Sequence, residues 1–258
     1  MNNNKINFEN PPVVEVVLDA QFRELKNFLS KDFATVYDVF KDDFNSHKEM
    51  PPLQEIADNF EHNQIQLQFI SASAPDLRRQ WFISEDKSQL LQFQTNRFVA
   101  NWRNESGKPY IRFENIKQNY ENNFHKLQNL LGSVEVIQAE VTYINHIKVD
   151  VNLSFDEMFE KVFTSFKMIK FDDLESEGMR WSDRYLYDNG RIKGRLTVTT
   201  EAYTKLPEKE RMVALRLSFK GRSSNDELSD FFNTGNSLIT KMFCDITSDE
   251  MHKIWGRK

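Results

Sequence analysis

The sequence predicts an α+β fold in which two β-α-β-β-β(-β)-α repeats share one antiparallel sheet with helices on one face. Three observations predict it. A long alternating segment opens each half, an amphipathic helix of matching pattern follows it, and short alternating runs then lead to a closing helix.

The first strand is VVEVVLDAQF, where Val14, Val16, Leu18, Ala20 and Phe22 alternate with Glu15, Asp19 and Gln21. Pro11 and Pro12 set its start, because neither can donate a ladder hydrogen bond. Phe33, Val36, Tyr37, Phe40 and Phe44 then recur at helical spacing. After the turn at Pro51 come strand-like runs at residues 64–70, 78–84, 89–94 and 98–103. A polar helix carries Ile116, Tyr120, Phe124, Leu127 and Leu131 on one face and ends at Gly132.

The second half begins with a strand at 134–149 and a helix bearing Phe155, Met158, Phe159, Val162 and Phe166, with Ser154 as N-cap. At one constant offset Phe33 falls on Phe155, Val36 on Met158, Tyr37 on Phe159, Phe40 on Val162 and Phe44 on Phe166. The preceding strands align nearly as well, with Glu15 over Glu140 and Val16 over Val141. Three strands and a helix at 226–246 complete this half. The repeats are thus 1–132 and 133–258, within one compact unit. Tandem units of this order build saddle-shaped sheets like that of the TATA-binding protein, and related helix-grip folds.

Composition bounds the function. With 258 residues and 39% hydrophobic content the chain can bury a real core. A net charge of −5 argues against wholesale coating of nucleic acid, yet leaves room for a local basic patch. Cys244 is the only cysteine, so no intrachain disulfide forms and a reducing, cytoplasmic location is expected. The start lacks a signal-like apolar core, and no run reaches the roughly 18 apolar residues of a membrane span.

The stretch DRYLYDNGRIKGRLTVTT, from Asp183, concentrates positive charge. Asn189-Gly190 predicts a two-residue hairpin turn, which would set Arg184 opposite Arg195 and Tyr185 opposite Gly194. One face then holds Trp181, Tyr185, Tyr187, Ile192, Leu196 and Val198; the other holds Arg180, Arg184, Arg191, Lys193 and Arg195. The next strand, RMVALRLSFKGR, adds Arg216, Lys220 and Arg222 to the polar side. Two readings follow. Either Glu15, Asp19 and Glu140 neutralise these cations internally, or the face binds a polyanion, a nucleic acid or an acidic partner protein.

No catalytic or metal signature emerges, and no cofactor is implied. His47, His62, His125, His146 and His252 show no ligand spacing, and there is no phosphate-binding glycine loop or nucleophile elbow. Cys244 lies on an apolar helix and reads as a buried thiol. The carboxylates Asp42-Asp43, Asp172-Asp173 and Glu208 to Glu210 read as solvated loop residues. Asp183, an acid on the apolar hairpin face, either pairs with His146 or Asn145 or lies beyond the core at a frayed strand end.

Three motifs occur together: Asn10-Pro11-Pro12-Val13-Val14-Glu15, Tyr143-Ile144-Asn145, and the ending that contains Trp255-Gly256. With them the chain resembles a sporadically distributed bacterial family marked by a Pro-Pro-x-x-Glu start and a Trp-Gly end. That family has no established activity, so the resemblance implies no catalytic residues; its patchy distribution implies mobile defence or toxin–antitoxin loci. Thr247-x-x-Glu250 reads as a capping box for a last helix with Met251, Ile254 and Trp255 on one side. Trp255 either docks in its own domain or serves as a partner-binding hook.

The expected function is a non-enzymatic binding or accessory protein that recognises a partner protein or nucleic acid through its basic sheet face. The alternative is a small-ligand-binding or hydrolytic domain with a pocket between sheet and helices. A deep cavity lined by polar residues such as Asn145, His146 and Asp183 favours the second; a basic surface without a cavity favours the first.

Overall fold

The two long alternating strands, β1 (Val13–Phe22) and β6 (Val136–Val149), pair antiparallel with each other, with Leu18 opposite Val141 and Asp19 opposite Glu140. The computed structural model describes residues 7–25, 27–53, 79–105, 107–132, 134–165, 176, 178–207 and 209–258. The run at 64–70 and the residues His62, Phe166, Asp172, Asp173 and Glu208 lie outside the described residues.

From β1 the sheet continues through β5 (Arg97–Arg103), β4 (Gln89–Gln94), β3 (Arg79–Ile83) and β2 (Ser46–Met50). From β6 it continues through β9 (Glu210–Arg222), β8 (Lys193–Lys205) and β7 (Met179–Asp188). The nine strands are antiparallel throughout. β2, with the sequence SHKEM, has no apolar alternation and was not expected; as an edge strand it presents its charges to water.

The α-helices among the described residues are α1 (Phe33–Phe40), α2 (Phe113–Leu131), α3 (Phe155–Val162), α4 (Leu228–Ile246) and α5 (Asp249–Ile254). The apolar sheet face carries Val16, Leu18, Val141, Leu215, Leu217 and Phe219, all fully buried, each worth about 1.5–3 kcal/mol of transfer free energy. α2 covers β1 and β5, and α4 covers β6, β8 and β9. Gly235 lets α4 approach β6 closely, since a Cβ there would sit 2.9 Å from the Val141 Cγ2. As expected, Ser154 caps α3, exchanging bonds with Glu157 of 3.3 and 2.7 Å, and Gly132 ends α2 at φ 78°. Tyr37, by contrast, leaves the core and is 41% exposed.

The chain ends meet. Phe8 bridges to Arg257, and the backbone N–H groups of Glu9 and Asn10 donate to the carbonyls of Gly256 and Trp255 at 3.1 and 3.0 Å. Trp255 is only 5% exposed, with its ring 5.1 Å from Phe243 and 6.1 Å from Phe8. It docks within its own domain, so this side chain is not free to act as a hook. The cap of α5 also differs from the capping box expected at Thr247. The Ser248 hydroxyl accepts from Met251 N–H at 3.3 Å, while the Thr247 hydroxyl donates to the Phe243 carbonyl at 2.6 Å and so finishes α4. His252 joins the tail to this corner: Arg257 donates to Nδ1 and Nε2 meets the Thr247 hydroxyl, both at 2.8 Å. Burial holds its pKa below the usual histidine value.

Candidate ligand site between the sheet and the helices

The basic hairpin keeps its two faces but changes its register. Asp188 pairs with Lys193 across a loop of residues 189–192, so Arg184 faces Thr197, Arg195 faces Leu186, and Gly194 faces Tyr187. The cause is side-chain capping. Asn189 Oδ1 accepts the N–H groups of Arg191 and Ile192 at 3.1 and 2.7 Å, and Asp188 Oδ1 accepts that of Gly190 at 2.9 Å. These bonds stabilise a longer loop than the expected two-residue turn. A shift by an even number of positions leaves the side chains of the two paired strands on their expected faces. The space at Gly194 is taken by the Phe219 ring and not by Tyr185, which is 42% exposed.

Arg184, Arg195, Arg216 and Lys220 therefore share one side of β7, β8 and β9, and Arg195 lies directly opposite Lys220. Arg180 lies on the same side of β7, opposite Glu201, and Lys193 forms an ion pair with Asp188 at 3.6 Å. Arg191 departs from this set. It sits in the loop and pairs with Asp230 of α4 at 2.7 Å, towards the helices. Of the three acids expected to neutralise this face, Glu140 lies 3.7 Å from Arg216 of β9 and accepts from Thr142 and Ser218 at 2.7 and 2.8 Å. Glu15 instead accepts from Asn101 at 2.6 Å, and Asp19 pairs with Arg97 at 3.6 Å. Asp183 is exposed at the edge and accepts from the Tyr185 hydroxyl at 2.9 Å, not from His146 or Asn145.

Asp19 has a measurable consequence. Its carboxyl is pushed up to about 6 by burial, which outweighs the lowering effect of Arg97; Glu140 adds to the rise and Lys220 opposes it. Folding thus raises this pKa, so the linked stability is fully present below about pH 4 and is lost as pH rises through about 6. Asp19→Asn is expected to remove that segment of the pH profile and to raise stability near pH 7 by up to about 3 kcal/mol, read by urea denaturation across pH. An unchanged profile would contradict it.

On the opposite face, where β1, β6 and β9 pass beneath α4 and the start of α2, lies a cavity of about 680 Å³. Such a volume falls within the ordinary range for small-molecule sites. Phe8, Val13, Leu217 and Phe243 supply apolar wall. The polar groups come from segments far apart in sequence: Tyr110 and Arg112 before α2, Tyr143 and Asn145 on β6, and Asn236 and Thr240 on α4. The Tyr143 hydroxyl donates to Asn236 Oδ1 at 2.7 Å and lies 3.1 Å from the Tyr110 hydroxyl, while Asn145 donates to the Leu215 carbonyl at 3.1 Å. Burial raises both phenols, Tyr110 to about 12 and Tyr143 well above its ordinary value, so both stay neutral.

Residues of two of the three motifs singled out in the sequence line the cavity. Pro11 and Val13 line it, Tyr143 and Asn145 line it from β6, and the third motif, Trp255-Gly256, stays outside it, paired with the Glu9-Asn10 backbone next to the lining residue Phe8. Of the residues expected to line such a pocket, Asn145 does so; His146 faces the other side of β6, and Asp183 lies at the sheet edge. Tyr110, Arg112, Asn236 and Thr240 were not anticipated. The available signal was the pair Tyr143 and Asn145, polar groups at positions where the alternation of β6 calls for apolar ones.

Cys244 is buried and its thiol is held above the usual range by burial, which keeps it protonated. Among the described residues no group of three or more His, Cys, Asp or Glu side chains could hold a metal ion, and no helix is long and apolar enough to cross a membrane. No protein-family model matches the chain, and no curated protein matches it.

Proposed function

We propose that this chain is a small-ligand-binding module and that its ligand occupies the cavity between the sheet and α2 and α4. The observation that carries this reading is the hydrogen-bonded set Tyr110, Tyr143 and Asn236, placed in a 680 Å³ cavity whose walls include Phe8, Val13, Leu217 and Phe243. Apolar walls supply affinity, and a few fixed polar groups orient the ligand. Thr240→Trp, which places an indole in the cavity from α4, is the test. In a thermal-shift survey of metabolites, compounds that stabilise the wild type should leave this variant's melting temperature unmoved. Equal responses from both proteins would refute the assignment.

The basic face supports a second reading, as a docking surface for nucleic acid. Arg184, Arg195, Arg216 and Lys220 lie side by side there, with hydroxyls of Thr197 and Ser218 between them. Binding of a duplex oligonucleotide should then fall steeply with salt and be lost in the double reversal Arg184→Glu/Arg216→Glu. Salt-independent behaviour, with the double reversal binding as well as the wild type, would retire it.

The fold also supports an origin by duplication, in a saddle like that of the TATA-binding protein. Element orders β1-α1-β2-β3-β4-β5-α2 and β6-α3-β7-β8-β9-α4 run out in opposite directions from the central β1–β6 pair. Superposing the halves should bring Phe33 onto Phe155; unrelated positions for these two side chains would sink the idea.

A further inference from the structure

The wall of the cavity is not electrically neutral. Arg112 stands at one end, part-buried, immediately before α2. One Nη1 hydrogen goes to the Phe8 carbonyl at 3.1 Å, and the guanidinium lies 5.8 Å from the centre of the Tyr110 ring. Among the described residues it has no carboxylate partner. The other lining cation, Lys241, is committed to Asp245 one turn along α4. A part-buried guanidinium with a single hydrogen bond to a neutral carbonyl retains unused donors in a site of lowered dielectric, where a charge-assisted pair gains most.

We infer that the ligand is a small organic anion whose acidic head pairs with Arg112 and whose apolar body lies along Phe8, Val13, Leu217 and Phe243. This rests on the cavity being the ligand site. The chemistry follows from geometry: Arg112 presents planar, paired donors that match a carboxylate or phosphate, whereas the walls beyond it are hydrocarbon and aromatic. Two features reinforce the choice. The tether to Phe8 fixes the guanidinium at the cavity end, so little side-chain freedom remains to be lost on binding. The first N–H groups of α2 also open at this end, with no side chain capping them, and favour negative charge there. Glu114 lines the same end but is exposed, so water screens its opposing charge.

The test uses two probes of nearly equal shape, 2-naphthoate and 2-naphthamide, measured by isothermal titration calorimetry on the full chain. The wild type should bind naphthoate at least about tenfold more tightly than naphthamide. Arg112→Gln, whose amide can still donate to the Phe8 carbonyl, should erase that preference, with naphthoate binding falling much further than naphthamide binding; an unchanged circular-dichroism spectrum and melting temperature show that the variant is folded. Arg112→Lys keeps the charge without the planar fork and should retain part of the preference. Equal binding of both probes to the wild type, or a preference that survives Arg112→Gln, would overturn the anion assignment alone. Binding of neither probe would instead count against the cavity as the ligand site.

Discussion

Trp255→Ala should destabilise the protein by about 3–5 kcal/mol, because the indole is 5% exposed and the truncation leaves a void that Phe8 and Phe243 cannot refill. The effect is structural in origin. Residues 7–10 and 255–258 hold each other by three backbone hydrogen bonds around this side chain, so its loss loosens both chain ends at once. Phe8 also lines the cavity and accepts the Arg112 tether. The variant should therefore lose ligand-induced stabilisation as well as thermal stability. Removal of residues 254–258 should act in the same direction. Chemical denaturation measures the first effect; a melting temperature equal to that of the wild type would show that Trp255 does not dock as described.

Gly221→Ala should be nearly as damaging. Gly221 lies opposite Gly194 across β8 and β9, and a Cβ at position 221 would meet the Lys193 carbonyl oxygen at 2.3 Å and the Gly194 Cα at 2.9 Å. Backbone atoms cannot turn aside as a flexible side chain can. The added methyl must push the two strands apart, at a cost at or above the upper end of the roughly 1–3 kcal/mol typical of overpacking. The Phe219 and Phe231 rings pack into the space these glycines leave, 5.0 Å apart and stacked, so the disturbance reaches the core. A circular-dichroism melt reads the loss. A stability change under about 0.5 kcal/mol, the usual range for neutral surface substitutions, would mean the strands are not so closely apposed.

What the sequence made legible follows from where its physics is local. The alternation in VVEVVLDAQF and in residues 134–149 identified two long strands, since a half-buried strand must alternate; that they pair with each other came from the structure. Ser154 and Gly132 were readable because caps depend on neighbours within a turn. The faces of the basic hairpin were readable for the same reason, but its partners were not. They depend on whether Asn189 and Asp188 spend their side chains on the loop backbone, and dipeptide preference does not decide that. β2 was invisible because SHKEM forms a strand only where β3 offers it an edge. The cavity was least legible of all. Tyr143 and Asn236 are brought together by the packing of α4 on β6 near Gly235, and Tyr110 joins them from the segment before α2, tertiary events with no local signature. Only the misplaced polarity of Tyr143 and Asn145 announced it.

The central claim is that the cavity beneath α4 holds a small molecule, and the most direct measurement is mass spectrometry of what the folded protein carries. Wild type and Thr240→Trp would be isolated side by side from the native host, denatured, and their released small molecules compared. A molecule enriched with the wild type and missing from Thr240→Trp is expected, with an acidic group if it pairs with Arg112 as proposed. Identical small-molecule profiles from the two proteins, or none from either, would contradict it.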